Sequence, residues 1–200
     1  MEPRSAQRVL IAVDTNVLLE LADEIEEVVE AFDLIEARVP TRQFVMPPTV
    51  VHELAFEARH SEAQKLRLRG QRAFQKARQY DIRPVDLVAV RHGIAEQVSL
   101  RLREAGLLPA EETNDGFILG ETALLRCAIL LTTDGHLRGI PHKRLTLALQ
   151  ALDLPTPIIA TPRELVRKFC RAEAEAAARP VGKNLQPPAG GHDSYGITAR

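Results

Sequence analysis

The chain has 200 residues, 45% of them hydrophobic, which suffices for the core of one ordinary domain with a short appendage. Aromatic residues make up 4% and there is no Trp, so a core of Leu, Val, Ile and Ala is expected, which suits an α/β protein better than an aromatic-rich sandwich. A formal net charge of −1 excludes a global field that would attract a polyanion, two cysteines exclude a disulfide framework, and no apolar run approaches the roughly 20 residues needed to span a bilayer. The start, "MEPRSAQR", lacks a signal-peptide stretch, and the expected localisation is cytoplasmic, without membrane association.

In chain order, the first apolar run is "RVLIAV", and it ends on Asp14, Thr15 and Asn16. Helical spacing then occupies about residues 16–37, with a purely acidic stretch from Glu20 to Glu30 that offers a possible contact surface. A second run, "QFVMPP", leads into helical spacing over about 48–79, in two pieces broken near Gly70. Between Arg59 and Arg78 that segment carries seven basic residues and a single acid, Glu62. Such a run either follows a phosphate backbone or forms a solvated face, and the sequence does not choose between them.

The third run, "YDIRPV", precedes helical spacing over about 86–105, and another helix is expected over about 114–126. A fourth run, "AILLTT", leads to "DGHL", and a fifth, "TPIIAT", to a helix near 162–178 that Thr161 can cap with Pro162 in its first turn. The runs are apolar without alternation, as strands covered on both faces require. Strands alternating with helices give a mostly parallel five-stranded sheet sandwiched between helices, with functional groups beyond the carboxyl ends of the strands. The domain is expected to cover residues 8–170. Residues 171–200 form an extension of Ala, Gly, Pro and polar residues, largely without fixed structure after Pro180.

In that topology Asp14 and Asp134 end two strands at the same rim. Asp115 starts the helix before the fourth strand, and Glu53 lies a little over one turn into the helix after the second. Singly, Asp14 and Asp115 are good helix caps, Asp134 is a common turn residue and Glu53 is a common solvated position. Together they are carboxylates in need of a compensating cation, and oxygen ligands suit Mg²⁺ or Mn²⁺. A cation of this kind turns water into a nucleophile for phosphodiester displacement. The six histidines show no i, i+4 pairing, which disfavours a His-ligated metal, and His136 is assigned to the surface or to a supporting position. Glu121 is read as a solvated helix position. Arg138, Lys143 and Arg144, in "RGIPHKR", are weak candidates for binding the substrate phosphate. No "GxxxxGK[ST]", "GxGxxG" or "GxSxG" pattern occurs.

Four pieces, "VDTNVLLE", "PPTVVHELAFEA", "NDGFILGETALL" and "LLTTDGHL", in this order and separation, resemble the PIN-domain family, which includes the VapC-like toxin ribonucleases. The resemblance runs from about Val9 to Thr161. It implies a three-layer α/β/α fold and a metal-dependent ribonuclease, with Asp14, Glu53, Asp115 and Asp134 as the acidic quartet holding Mg²⁺ or Mn²⁺, and Asn16 and Thr133 as polar neighbours that orient it. RNA is the implied substrate, and the resemblance leaves room for an antitoxin partner and a homodimer. Gly116, Gly120 and Glu121 depart from the family pattern around Asp115, and the basic segment from Glu57 to Tyr80 is longer than in a compact toxin. Other readings are a DNA-directed nuclease of the same chemistry and an inactive PIN-like binding module.

Overall fold

A computed structural model describes residues 8–169. Five strands, β1 (Val9–Val13), β2 (Arg42–Met46), β3 (Arg83–Pro84), β4 (Ile129–Leu131) and β5 (Ile158–Ala160), form one sheet in the order β3-β2-β1-β4-β5, and every pairing is parallel. Four fall inside the apolar runs, and β2 begins one residue before its run, at Arg42. Ile11, Ala12 and Val13 are buried in succession, as are Phe44, Val45 and Met46. Successive side chains point to opposite faces, so helices cover the sheet on both sides and the fold is three-layered.

The helices are α1 (Thr15–Ala22), α2 (Glu26–Arg38), α3 (Pro48–His60), α4 (Gln64–Gln79), α5 (Ala89–Glu104), α6 (Thr113–Leu124), α7 (Gly135–Gly139) and α8 (His142–Gln150), followed by helical residues 162–169. The expected continuation of that last helix to 178, and the extension over 171–200, lie outside the described residues.

Two expectations change. The single helix expected over 16–37 is two, because Glu24 adopts φ 55° and its N–H turns back to Leu21 O at 3.1 Å. The side chains around this turn explain much of the basic segment. Asp23 meets Arg69 at 2.7 Å and Arg72 at 3.5 Å, and Glu24 meets Lys76 at 2.7 Å. Three of the seven basic residues, Arg69, Arg72 and Lys76, thus pair with acids of this turn within the chain.

The second change concerns the break expected near Gly70, which falls at residues 61–63 instead. There Ser61 Oγ donates to Glu57, and Arg67 donates to the carbonyls of Ser61 and Glu62 at 2.6 and 2.9 Å. Gly70 lies inside α4 where that helix crosses α3. A Cβ there would stand 2.8 Å from Ala58 N, so the glycine permits contact rather than breaking the helix.

From β1 the chain builds outward through β2 to β3, then returns to the other side of β1 for β4 and β5. The direction reverses between β1 and β4, and the crevice beyond their carboxyl ends is where open α/β sheets place their sites. Asp14 N donates to Leu131 O at 2.9 Å, which ties the two strand ends together.

Candidate metal centre

Asp14 follows the last residue of β1 and is 3% exposed. One oxygen accepts from Thr15 N at 2.7 Å and caps α1. The other accepts from Thr132 Oγ1 at 2.5 Å. The cap and the site are thus the same residue, with one carboxylate oxygen for each purpose. Thr132 Oγ1 also accepts from Asp134 N at 2.9 Å. Asp134 caps the five-residue α7, its Oδ1 accepting from His136 N at 2.7 Å and Leu137 N at 3.1 Å.

Asp115 enters from the first turn of α6, where the helix dipole favours an acid. Its Oδ2 is buried and has no hydrogen-bond partner. Glu53, half-buried on α3, accepts from Thr15 Oγ1 with one oxygen and from Asn114 Nδ2 at 2.7 Å with the other. The four expected acids are thereby drawn to one rim, linked through Thr15, Thr132 and Asn114.

Their electrostatics follow from burial and crowding. Burial raises the Asp14 carboxyl to about 6; the bonds from Thr132 and Thr15 oppose the rise, and the charges of Glu53 and Asp134 add to it. Asp115 is raised to about 7, first by burial and then by Asp134, Asp14 and Glu112. An oxygen without a donor beside crowded acids needs either a proton or a cation. All-oxygen donors of this kind suit Mg²⁺ or Mn²⁺, so the residues fit a hard divalent ion.

Thr132, rather than the expected Thr133, is the hydroxyl that touches Asp14; Thr133 Oγ1 donates to Glu20 at 2.9 Å. Asn16 is exposed, one residue inside α1, and no side-chain hydrogen bond holds it among the described residues. Glu121 is 2% exposed instead of solvated, accepting from Thr49 N at 3.0 Å and Thr49 Oγ1 at 2.8 Å. It joins α6 to the start of α3 and so acts beneath the rim. Glu112 was not singled out from the sequence. Its carboxylate lies 3.2 Å from His136 Nδ1, and that nitrogen is 4.0 Å from both Asp115 Oδ2 and Asp134 Oδ1. The available signal was its position three residues before Asp115, one helical turn along the same face.

Of the basic candidates, Arg144 donates to Ala105 O at 2.7 Å and Arg138 lies 3.7 Å from Glu164. Lys143 is exposed, with no ion pair among the described residues.

A parallel three-layer α/β sheet whose switch point is lined with acids from four segments places the chain among α/β proteins with an acidic rim. The PIN domain model matches residues 11–143, and the chain belongs to the PIN-domain family, whose members are typically nucleases. No curated protein sequence matches it. Two solved structures share the architecture at low identity. VapBC2 from Rickettsia felis, solved bound to a DNA fragment from the promoter, is 13% identical over 76% of this chain and 98% of that one, with a TM-score of 0.53. VapBC-1 from nontypeable Haemophilus influenzae is 14% identical over 77% and 98%, also with a TM-score of 0.53. At such identities the likeness is one of fold. Among the described residues, no helix is long and apolar enough to cross a membrane.

Proposed function

We propose that this protein is a divalent-cation-dependent endoribonuclease acting as the toxin of a toxin–antitoxin pair. The observation that carries the reading is the buried, donorless Oδ2 of Asp115 among acids delivered by β1, α3, α6 and the start of α7. A stability role alone would favour satisfied or apolar side chains there, because a buried carboxylate without a partner is costly.

In this reading Asp14, Asp115 and Asp134 hold the ion, and Glu53 completes the cluster at its exposed side. When bound, Mg²⁺ or Mn²⁺ supplies an activated water and offsets charge on the phosphodiester. The chain's own part is positioning. Thr132 holds Asp14 and the Asp134 backbone in one register, two backbone donors hold Asp134, and Thr15 and Asn114 hold both oxygens of Glu53. Among the described residues Lys143 of the "RGIPHKR" segment makes no ion pair, and it offers the substrate phosphate a contact. An antitoxin partner is supported by the fold shared with VapBC proteins, and a homodimer rests on the family resemblance alone.

The test is incubation of wild type and Asp115→Asn with single-stranded RNA and DNA, across a titration of Mg²⁺ and Mn²⁺. Metal-dependent RNA cleavage lost in the variant is the expected result. Cleavage of DNA only would reassign the substrate, and cleavage persisting in the variant or in EDTA would overturn the reading of the site.

A further inference from the structure

We infer that His136 and Glu112 join Asp115 as ligands of the cation, so that the centre contains one imidazole nitrogen and selects first-row transition ions over Mg²⁺. This rests on the metal-dependent reading above.

One donor atom from each of Glu112, Asp115 and His136 lies within 4.8 Å of the others. Cation–ligand distances of about 2.0–2.2 Å put two donors on one ion about 3–4.4 Å apart. The separations of His136 Nδ1 from Glu112, 3.2 Å, and from Asp115 Oδ2 and Asp134 Oδ1, 4.0 Å each, fall in that range. At 4.0 Å the ring does not hydrogen-bond Asp115. It leaves Oδ2 without a donor while standing at the spacing of a second ligand.

The local structure holds these groups in place. The backbone N of His136 is bonded to Asp134, which fixes the root of the ring beside the acids. Glu112 occupies the N-cap position of α6, yet its side chain makes no cap bond and its carboxylate lies beside His136 instead. His136 is half exposed, with a side-chain accessibility of 50%, so an ion from solvent can reach it. A simple Glu112–His136 ion pair would account for 3.2 Å but not for the donorless oxygen beyond it. Nitrogen ligation favours transition ions over Mg²⁺, and Mn²⁺ stands lowest of them in the affinity order, so a preference for Mn²⁺ is a lower bound.

The experiment uses the full chain with Mn²⁺ as the probe. Pulsed EPR of the Mn²⁺ complex detects a directly bound ¹⁴N, and competition with Mg²⁺ measures selectivity without reference to activity. A nitrogen coupling is expected in wild type and absent in His136→Gln. That variant is expected to bind Mn²⁺ about tenfold more weakly, with Mg²⁺ affinity changed less than about twofold. Glu112→Gln should weaken both ions while keeping the nitrogen signal. Absence of the coupling in folded wild type, or an unchanged Mn²⁺ to Mg²⁺ ratio in His136→Gln, overturns the inference. In either case, loss of both ions in Asp115→Asn leaves the nuclease reading standing. Failure of wild type to bind either ion overturns both.

Discussion

Thr132 reaches Asp14 across 118 positions of the chain, its hydroxyl donating to Oδ2 at 2.5 Å while it accepts from the Asp134 backbone at 2.9 Å. A single oxygen thus sets the spacing of two acids from different strand ends. Thr132→Val preserves shape and removes that oxygen, leaving a buried carboxylate oxygen and a backbone N–H unsatisfied. A loss of about 1–3 kcal/mol in urea denaturation is expected. Because the bond opposes the rise of the Asp14 carboxyl, the Asp14 titration followed by carboxyl-carbon NMR should move further upward.

The crowded acids also make metal-free stability fall with pH. Asp14 titrates near 6 and Asp115 near 7 in the fold, both above the unfolded value of about 3.9. Groups raised in this way contribute stability that is complete below about pH 4 and lost as pH rises through the folded values. Asp14 alone represents on the order of 3 kcal/mol of that loss. In EDTA, melting temperature should drop between pH 4 and 7.5, and the drop should be smaller in Asp115→Asn. A wild-type profile no steeper than the variant's would contradict the electrostatic account.

Adding the ion should restore what the acids cost. At pH 7.5 and a concentration of about 100 times the dissociation constant, Mg²⁺ or Mn²⁺ should stabilise the fold by about 2.7 kcal/mol. For a chain of this size that raises melting by roughly 5–10 °C. Scanning calorimetry with and without EDTA measures it, and Asp115→Asn should show almost none of the rise.

Gly116 sits where α6 presses on α5. A Cβ there would stand 2.3 Å from Ser99 Oγ and 2.8 Å from Ser99 Cα, so Gly116→Ala must push the helices apart. A cost of about 1–3 kcal/mol is expected from overpacking. Since Asp115 is the adjacent residue, Mn²⁺ affinity should fall in the same variant while it remains folded, as circular dichroism and a titration together would reveal.

Lys143 and Arg144 are neighbours with different expected effects. Lys143→Ala should weaken RNA binding and reduce its salt dependence by about one charge. Arg144→Ala loses a bond to Ala105 O and should lower stability by up to about 1.5 kcal/mol with little change in binding. Equal effects on binding would remove the distinction drawn from the geometry.

Four of the strands are legible because each lies in a short apolar run ended by Pro, Asp or Thr, while β3 is an exposed Arg-Pro pair within its run; the parallel arrangement follows from the helices between them. Three of the acids were legible for a related reason: Asp14 and Asp134 follow strands directly, and Asp115 opens a helix packed on the sheet. What could not be read depends on side-chain direction and on contacts between distant segments. Thr132 and Thr133 are adjacent and chemically alike, and only the path of the chain leaving β4 decides which hydroxyl meets Asp14. Glu121 looks solvated until Thr49, 72 positions away, supplies its donors. Gly70 looks like a break because glycine lowers helix propensity, but the crossing with α3 outweighs that penalty. The short helices α7 and α8 carry too few turns for a helical period to stand out in the sequence.

At its β2 side the sheet ends in β3, two exposed residues of which one is Pro84. Proline has no amide hydrogen, and a border so brief offers an incoming strand little to pair with. So short an edge strand disfavours edge-to-edge pairing along β3, which covers Val45 and Met46 of β2. A companion chain meeting β3 itself finds more to dock against in the neighbouring helices and loops than in the ladder.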